Sequence, residues 1–550
     1  MAFHVNRIYH LVWIFLFSVI LLIGRLFYLQ ILESDQLSIS ALKGRILEVP
    51  LAPPRGDILD RYGLSMTNII PETRLIIFPA QLIDSPRVLA DLIPIIGAKE
   101  VAIIARLAQN TGQPFSWRIP DDPAVIRQLQ AKNIPGVVLT RINARYSNLA
   151  SHVIGYMNAA DNQGVSGIEQ AYDHVLRGLQ ASYVAAMIDA SQKPIPGLGF
   201  RKVGPAASAD SGQVVLTLDR SIQSVVERVL DRHMEKGSVV ILDPRSGEVL
   251  AMASRPNFRA EQLSEYLNLT AAPLINRAVM GYQPGSVFKL VIAAAALEEK
   301  VVQPNQMFFD AGYIDVNNIR FQGWDYEKGS RGQITFTQAL AYSSNPVFIQ
   351  VGLTLGAEKV ITYAQKFGFG QSVGLAIKDE VGGNLPNPGQ VYAGDLANLS
   401  IGQGMLEVTP IQVASLVATL INDGIKVQPR LVKKVVEPGG RLQEMPAARA
   451  GVRVVSARTA SALREMMKAV TSYGTGVAAQ VDRYGSAGKT GSAETGKTGV
   501  SGKSINHAWF AGYAPLNNPR YVAVVFIEEG MSGSDVAAPI FREIMENLLQ

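Results

Sequence analysis

Three short motifs in the second half of the chain carry residue types that suit nucleophilic catalysis. In chain order they are Ser286-x-x-Lys289, Ser343-Ser344-Asn345 and Lys489-Thr490-Gly491. A run rich in Ala and Leu follows the first motif and predicts a helix that begins close to Ser286, with Lys289 on the same face. A neutral Lys289 amine would take the hydroxyl proton of Ser286, and the helix N-terminus favours developing negative charge.

Two of these motifs have competing copies. Ser40-x-x-Lys43 repeats the first pattern just after an apolar run, without supporting context. Residues 491–498, GSAETGKT, match a phosphate-loop pattern, but the glycine-rich and polar residues after them have no helical period. A second Lys-Thr-Gly stands at residues 497–499, whereas only Lys489 has strand-like residues around it. We therefore favour Lys489 and predict a loop over residues 496–506.

The segments around the motifs predict a sheet covered by helices. Residues 221–237 have apolar side chains at helical spacing, and residues 237–254 predict two strands joined by a turn. After a mostly helical stretch, three strand-like segments precede a closing helix from about residue 536 to residue 549. The pattern predicts an α+β domain over residues 211–550, whose outer strands come from both ends of the domain.

An accessory domain of mixed α/β texture is predicted over residues 31–205. It alternates turn-rich stretches with strand-like runs, and the Gly- and Pro-rich residues 195–213 predict a linker after it. Its charged residues could form an acid-base cluster, but we interpret them as salt-bridged turns and structural groups. They are Arg55, Asp57, Asp60, Arg61 and Glu169.

The N-terminus predicts a membrane anchor. Residues 8–24 carry no formal charge, and apolar residues continue past Arg25, which reaches the roughly 20 residues that a bilayer span needs. A cleaved signal peptide is the alternative, but the run has no small-x-small cleavage site. We expect a tail at residues 1–7 and a transmembrane anchor at residues 8–30. Basic residues flank both ends, so charge does not decide the orientation.

Composition excludes several other classes of function. The 51 basic and 46 acidic residues leave a net charge of +5 with no basic run, which argues against a nucleic acid partner. The chain has no cysteine, and none of its six histidines pairs with another at the spacing of a helical metal site. We therefore expect neither a metal nor another cofactor.

The motif order is the signature of class A β-lactamases and penicillin-binding proteins. Over nearly its whole length the chain resembles class B penicillin-binding proteins of the penicillin-binding protein 2 type. The segments that carry the resemblance are PPRGDILDRYG, ARYSNLASHVIGY, GVSGIEQAYDHVLRG, LTLDRSIQ, LDPRSGEVLAMAS, NRAVMGYQPGSVFK, LSIGQGMLEVTPIQVA, AGKTGSAE and HAWFAGYAP. The resemblance implies a transmembrane helix, a dimerisation-type pedestal and a transpeptidase domain with an antiparallel sheet, as in serine β-lactamases. Gln283, Val287, Tyr62 and Ser492 depart mildly from the family pattern.

By this analogy, each motif residue has its own role in acyl transfer. Ser343 would relay a proton between Lys289 and the leaving amine, and Asn345 would hold the backbone of the donor stem peptide. The terminal carboxylate would meet Lys489 and Thr490. Gly491 would let the substrate approach the strand, and the amides of Ser286 and Ser492 would form the oxyanion hole. Tyr282 and Trp509 are expected to support the cleft.

The resemblance implies D,D-transpeptidation of peptidoglycan stem peptides that end in D-Ala-D-Ala, with β-lactams as inhibitors. A β-lactamase or carboxypeptidase would pass the acyl group to water, and sequence separates these poorly. A penicillin-sensing receptor would need a cytoplasmic domain, for which the residues before the anchor leave no room. A bifunctional enzyme would need a glycosyltransferase domain, which the accessory region does not resemble.

The same resemblance implies the cellular location of the protein and its partner. We expect a single-pass type II protein of the cell membrane, with the catalytic domain outside, and a SEDS-type glycosyltransferase as its partner. The sequence leaves four questions open. They are the role in elongation, division or sporulation, the acceptor residue of the stem, the sensitivity to β-lactams and the oligomeric state.

Overall fold

The computed structural model forms two compact units, described separately below. The accessory unit comprises Met1–Pro53, Ile70–Ala144 and Gln180–Ala207, and the main unit comprises Pro54–Ile69, Arg145–Leu179 and Ser208–Gln550. The structure describes residues 2–37, 46–50, 55–82, 86–111, 113–132, 134–147, 149–158, 163–178, 183–189, 200–203, 211–445, 451–499, 502 and 504–550. The competing Ser40-x-x-Lys43 motif and most of the predicted linker lie outside these residues.

The accessory unit begins with a long apolar helix. It spans Ala2–Phe27 and continues into a π-helical turn, Tyr28–Leu32. The segment Arg7–Leu32 has a mean hydropathy of 2.3 and is long enough to cross a membrane. Its large apolar side chains are exposed in the structure, which is unfavourable in water and favourable in lipid. The helix therefore fits the single membrane span that the sequence predicts.

The rest of the accessory unit is a mixed α/β structure with two small sheets. One sheet has the order Ile46–Pro50, Tyr183–Met187, Phe200–Val203, and the other has the order Phe115–Arg118, Asn68–Ile77, Val137–Tyr146. The helices are Pro79–Leu82, Pro86–Ile96, Ala98–Thr111 and Pro123–Lys132. Leu75 and Ile77 pack into one apolar cluster, while Ile76 packs into another. Both faces of this end of the strand are covered, which explains the apolar run from Leu75 to Phe78.

A five-stranded antiparallel sheet organises the main unit. Its strands are Gly237–Leu242 (β1), Val249–Arg255 (β2), Ala487–Thr498 (β3), Ser504–Ala514 (β4) and Tyr521–Ile527 (β5). The order is β2-β1-β5-β4-β3, with every neighbouring pair antiparallel. The outer strands come from the two ends of the domain, as predicted, and β3 has one free edge.

The predicted loop over residues 496–506 is wrong in part. Strands β3 and β4 extend into it, and Thr498 pairs with Ser504. This end of the hairpin is exposed on both faces, so its residues show no alternation of apolar and polar types. Periodicity cannot detect a strand of this kind, because neither face is selected for burial.

Helices cover both faces of the sheet. Those of eight or more residues are, in chain order, Arg220–His233 (α1), Lys289–Glu298 (α2), Asn345–Leu355 (α3), Ala357–Phe367 (α4), Ala393–Ser400 (α5), Pro410–Ile421 (α6), Ala457–Ser472 (α7) and Ala538–Leu549 (α8). Val239 and Ile241 of β1 pack into a cluster with α1 and α8. Val240 and Leu242 face the opposite cluster, which contains α2 and α6. The sheet is therefore the middle layer of the core.

Shorter elements complete the main unit. A second sheet has the order Leu442–Glu444, Val432–Val436, Gln213–Leu216, Ile58–Leu59, and two small hairpins pair Met307–Asp310 with Gly332–Thr335 and Tyr313–Val316 with Ile319–Gln322. Short helices span Ser151–Ile154, Gly167–Ala171, Asp173–Leu176, Leu263–Tyr266 and Phe336–Ala341.

Buried ion pairs hold the charged turns near residue 55. The guanidinium of Arg55 lies 2.7 Å from carboxylate oxygens of both Glu169 and Asp173, and the first two side chains are almost fully buried. Arg61 pairs with Glu248 at 2.8 Å. These contacts confirm the interpretation for Arg55, Arg61 and Glu169, whereas the Asp60 carboxylate accepts from backbone amides of its own turn.

Candidate active site

Ser286 lies in a tight turn at the start of a buried helix. A 3₁₀ turn, Gly285–Phe288, runs directly into α2, as the sequence predicts. Gly285 has a φ of 54°, and a Cβ added to it would lie 2.5 Å from the carbonyl oxygen of Ser492 on β3. Glycine is required here because any side chain would push the turn away from the strand. This contact sets the distance between Ser286 and β3.

We expect Gly285→Ala to slow acylation and destabilise the fold. The substitution adds a clash with backbone and a strained φ, which together cost on the order of 1–3 kcal/mol of unfolding free energy. Thermal unfolding and the rate of penicillin labelling would be measured on the same samples. Gly389→Ala is the matched control, because that glycine has no positive φ and a Cβ there would meet only the Asn387 side chain, at 3.7 Å. Equal labelling rates for wild type and Gly285→Ala would contradict this account.

Lys289 is buried under the cleft and surrounded by acceptors. Its Nζ donates to the carbonyl oxygen of Ser343 at 2.7 Å, to Oδ1 of Asn345 at 2.7 Å and to Oγ of Ser343 at 3.3 Å. Burial, together with the charge of Lys489, lowers the Lys289 pKa well below its usual value, while Asp310 and Asp325 oppose the shift. A lysine in this setting can hold a neutral amine, which is what a general base requires.

No hydrogen bond joins Lys289 to the Ser286 hydroxyl among the described residues. The two side chains are three positions apart at the start of α2, and Ser286 faces the cleft. Hydrogen bonds between catalytic groups are often loose before substrate binds and tighten in the complex. Lys289 and Ser286 are therefore neighbours in the structure, but their side chains are not joined by a hydrogen bond.

Ser343 bridges two buried lysines. Its Oγ accepts from Lys289 at 3.3 Å and from Lys489 at 3.0 Å. The residue has a φ of 59° and directly precedes Ser344, which caps α3 by accepting from the Val347 amide. A positive φ is costly outside glycine and is found most often where geometry serves a function. The second motif is therefore a strained link between the first and the third.

Asn345 fixes the second motif to the neighbouring hairpin. Its Oδ1 accepts from Lys289, and its Nδ2 donates to the carbonyl oxygen of Gln322 at 3.1 Å. The Asn345 side chain can bind both partners at once because its amide has one donor group and one acceptor group. The sequence predicts Asn345 as a site residue but gives no signal for Gln322.

Lys489 and Thr490 lie on β3, facing the second motif. Lys489 is fully buried, and its Nζ donates to Oγ of Ser343 and to the carbonyl oxygen of Thr490 at 2.9 Å. Burial lowers the Lys489 pKa to about 7. Oγ1 of Thr490 lies 2.6 Å from Oγ1 of Thr475, which the sequence analysis missed. The only local signal for Thr475 is its place between two glycines in a turn.

Gly491 and Ser492 line the next part of the same strand. A Cβ at Gly491 would lie 2.8 Å from the carbonyl oxygen of Pro284, so glycine permits this close packing against the Ser286 turn. Oγ of Ser492 accepts from the Gly533 amide at 3.2 Å. Because β3 is an edge strand, backbone groups on this side are open to an added strand.

An open cleft of about 1030 Å³ joins the three motifs. Among the lining residues are members of every motif and residues from other elements that the sequence analysis missed. The missed residues include Arg320, Gln322, Trp324, Lys328, Gln403, Thr475, Glu494, Asn506 and Asp535. Most of them lie outside the three motifs, whereas Glu494 stands three residues after Gly491 and Gln403 belongs to the segment LSIGQGMLEVTPIQVA that carries the family resemblance. The cleft has room for a peptide alongside β3.

Tyr282 and Trp509 support the chain that leads to Ser286. The Trp509 indole is fully buried and donates to the carbonyl oxygen of Gln283 at 3.0 Å. The Tyr282 ring packs on Phe526 with 4.1 Å between centroids. Both aromatic residues thus hold the backbone just before the nucleophile and make no contact suited to chemistry.

Two of the six histidines make contacts that suit a structural role. His152 lies 2.8 Å from the carbonyl oxygen of Pro273, and burial lowers its pKa to about 4. His233 lies 2.9 Å from Glu543 at the surface. Within the part of the chain that the structure describes, no three His, Asp or Glu residues are grouped to hold a metal ion.

Comparison with known proteins accounts for this geometry. The model of the penicillin binding protein transpeptidase domain matches residues 237–546, and that of the penicillin-binding protein dimerisation domain matches residues 50–195. This chain is a class B penicillin-binding protein. The class B penicillin-binding proteins carry a serine-type transpeptidase domain of the kind that the three motifs form here.

Similar proteins cover almost the whole chain. Stage V sporulation protein D of Bacillus subtilis is 30% identical over 98% of this chain and 85% of its own length. Peptidoglycan D,D-transpeptidase MrdA of Haemophilus influenzae is 29% identical over 97% and 90%, respectively. The crystal structure of penicillin binding protein 3 from Mycobacterium tuberculosis with ampicillin is 27% identical, covers 91% of this chain and 96% of its own, and has a TM-score of 0.65.

Proposed function

We propose that this penicillin-binding protein cross-links peptidoglycan stem peptides through an acyl-enzyme on Ser286. The observation that carries the proposal is the buried chain of contacts from Lys289 through Ser343 to Lys489, beneath the cleft that Ser286 faces. Such a chain supplies a base, a proton relay and a cation beside one nucleophile. One of the similar proteins, MrdA of Haemophilus influenzae, is named a peptidoglycan D,D-transpeptidase, which points to the same reaction.

Acylation uses the first two motifs. Neutral Lys289 takes the proton of the Ser286 hydroxyl, and the oxygen attacks the carbonyl carbon of the penultimate D-Ala. The amides of Ser286 and Ser492 receive the oxyanion. When the peptide bond to the terminal D-Ala breaks, the proton passes through Ser343 to the leaving amine. Free D-Ala departs, and the donor stem stays as an ester on Ser286.

Deacylation completes the cross-link. The side-chain amine of a second stem attacks the ester carbonyl, and the new amide bond replaces the bond to Ser286. The proton that the amine loses returns to the serine oxygen by way of Lys289. Water would give hydrolysis in the same step, so exclusion of water from the cleft decides between transfer and hydrolysis.

The third motif recognises the carboxylate of the substrate. Lys489 donates toward Thr490, and the hydroxyls of Thr490 and Thr475 face the cleft from one side. A carboxylate would be bound there by charge-assisted hydrogen bonds. The β-lactams carry a carboxylate next to their reactive amide and would use the same groups while they acylate Ser286.

This division of roles predicts a fall in acylation at alkaline pH. The second-order rate of acylation reports the pKa values of the free enzyme. Lys489 is cationic below its pKa of about 7 and loses its charge as pH rises through that value. The rate with a penicillin should therefore fall above about pH 7. Rapid-mixing labelling across pH would measure it, and a β-lactam methyl ester without the carboxylate should show no such fall.

An assay with two stems tests the proposed reaction. Full-length protein in detergent would be incubated with a pentapeptide donor and an acceptor stem that lacks D-Ala-D-Ala, and products would be identified by mass spectrometry. A cross-linked product with release of D-Ala supports transpeptidation. Release of D-Ala without cross-links would show a carboxypeptidase, and rapid opening of penicillin without a stable adduct would show a β-lactamase. Either result would overturn the proposal.

We also propose a membrane topology and a membrane partner for the protein. We assign residues 1–7 to a cytoplasmic tail, 8–30 to the anchor, 31–205 to the pedestal and 211–550 to the catalytic domain outside the membrane, in type II orientation. The exposed apolar surface of the first helix supports an anchor that also meets a membrane partner. A SEDS-type glycosyltransferase is the proposed partner, since transpeptidation consumes the glycan strands that such an enzyme makes. Co-purification from detergent would test it.

A further inference from the structure

His507 is a buried histidine that lies between two segments of the chain that lead into the cleft. It belongs to β4, and its side chain shares a face of that strand with Trp509. The imidazole packs edge-to-face on the Tyr282 ring, with 5.5 Å between centroids, and its centroid lies 5.4 Å from that of Phe526. Because Tyr282 belongs to the segment that leads to Ser286, His507 supports the backbone before the nucleophile.

The second segment is the connector between β5 and α8, residues 528–537. Nδ1 of His507 accepts from the Glu529 amide at 3.2 Å, and the Met531 amide donates to the carbonyl oxygen of Asn506 at 2.8 Å. Glu529 and Met531 have φ values of 57° and 68°. A positive φ is unfavourable for residues other than glycine and persists only where surrounding contacts hold it. The hydrogen bond to His507 is one of those contacts.

The connector forms part of the cleft beside the third motif. Three of its residues line the cleft, namely Ser532, Ser534 and Asp535. The Gly533 amide donates to Oγ of Ser492 at 3.2 Å, and a Cβ at Gly533 would lie 2.3 Å from the carbonyl oxygen of Gly491. A shift of the connector would therefore change the backbone position of Gly491 and Ser492.

The hydrogen bond from Glu529 requires a neutral imidazole. Nδ1 accepts only when it carries no proton, so the proton of the neutral ring is on Nε2. A protonated ring would direct an N–H group at the N–H group of Glu529. The amide would lose its acceptor, which costs free energy in a buried place. Protonation of His507 would thus release the connector.

Several ionisable groups act on this ring. They are Tyr282 from the nucleophile segment, Lys497 from β3, and Glu528 and Glu529 from the connector. Burial lowers the His507 pKa below its usual value, Glu528 and Glu529 oppose this shift, and Lys497 adds to it. Both carboxylates are themselves paired at 2.6 Å, Glu528 with Arg277 and Glu529 with Lys497. Burial raises the Tyr282 pKa, so this group stays uncharged.

We infer that His507 is a positioning residue for acylation, which holds the connector in place beside the third motif as a neutral imidazole. The inference rests on the proposed function. His507 acts through the connector and touches no substrate. Because its pKa in the folded protein lies below the usual value of about 6.5, the contact is present at neutral pH and is lost as pH falls below that value.

Two substitutions separate the acceptor atom from the aromatic ring. His507→Asn places an amide oxygen at the same number of bonds from Cα as Nδ1, so it can accept from Glu529 but cannot be protonated. His507→Phe keeps an aromatic ring and has no acceptor. Acylation of the full-length protein by a fluorescent penicillin would be timed at about pH 7.5. His507→Asn should react at close to the wild-type rate, and His507→Phe roughly 10- to 100-fold more slowly.

The pH dependence tests the charge state of the imidazole. Lys289 titrates in wild type and in His507→Asn alike, so its contribution cancels in the ratio of the two acylation rates. The ratio of wild type to His507→Asn should fall as pH is lowered from about 7.5 to about 4.5, by up to roughly tenfold per pH unit. His233→Asn, which changes an exposed histidine on α1, is the matched control, and its ratio should stay near one.

Three results would overturn the inference and leave the proposed function standing. They are a flat ratio for His507→Asn over the whole pH range, a His507→Phe protein that reacts at the wild-type rate, and a His507→Asn protein as slow as His507→Phe. Thermal unfolding of each variant would show that it is folded at the pH of the assay. Wild type that penicillin fails to label at any pH would overturn the proposed function itself.

Discussion

Ser286→Ala should abolish the stable penicillin adduct. The substitution removes the only atom that forms the ester, while the small side chain fits the turn in which Ser286 lies. Loss of a nucleophile from a catalytic unit lowers turnover by roughly 10⁴-fold or more. Intact mass and gel fluorescence, after exposure to a fluorescent penicillin, would show the adduct in wild type and none in the variant. Its thermal unfolding should match that of wild type.

The competing motif supplies the matched control. Ser40→Ala changes the serine of the other Ser-x-x-Lys pattern in the sequence. This variant should label at the wild-type rate and to the same final extent. A Ser286→Ala protein that still acquires the mass of penicillin, or a Ser40→Ala protein that does not, would show that Ser286 is not the nucleophile.

Lys289→Met should lower the acylation rate by roughly 10²- to 10⁴-fold, the usual contribution of a general base. Methionine fills similar space in the buried position but accepts no proton. The variant keeps the nucleophile, so slow labelling should still reach Ser286. Stopped-flow acylation with a chromogenic β-lactam would give the rate, and thermal unfolding would show whether the fold is retained.

A second substitution separates basicity from positive charge at this position. Lys289→Arg places a permanent cation at this position, because a guanidinium stays protonated and cannot act as a base. We expect it to be as slow as Lys289→Met. An arginine variant that acylates at the wild-type rate would mean that Lys289 acts by its charge. Lys468→Met, which removes an exposed lysine on α7, is the matched control and should leave the rate unchanged.

The mutual position of the two lysines explains why both are needed. Lys289 and Lys489 are fully buried and share the hydroxyl of Ser343. Two cations cannot be held there without cost, so burial and repulsion favour one neutral and one charged amine. Lys289 follows Ser286 at the start of α2, whereas Lys489 lies on β3 next to Thr490, which lines the cleft. This placement supports Lys289 as the proposed base and Lys489 as the proposed contact of the carboxylate.

The amino-acid sequence alone is enough to predict the catalytic motifs, the apolar anchor and the strands with regular patterns. Ser286, Ser343 and Lys489 stand in short contexts whose residue types are rare together, and the helix after Ser286 follows from a run of Ala and Leu. The strand over residues 237–242 is apolar on both faces because it lies in the middle layer of the core. Local chemistry and burial leave signals of this kind in a single chain.

How the cleft is lined depends on the folded chain. Thr475 and Gln322 come from segments far apart in sequence, and each has an ordinary local context. The sequence predicts a loop at the end of the β3-β4 hairpin, where the structure has paired strands, because the two exposed faces of this segment give no period. Contacts between distant segments depend on the packed sheet and on close approaches such as that of Gly285 to Ser492. Those distances exist only once the chain has folded, so no local pattern encodes them.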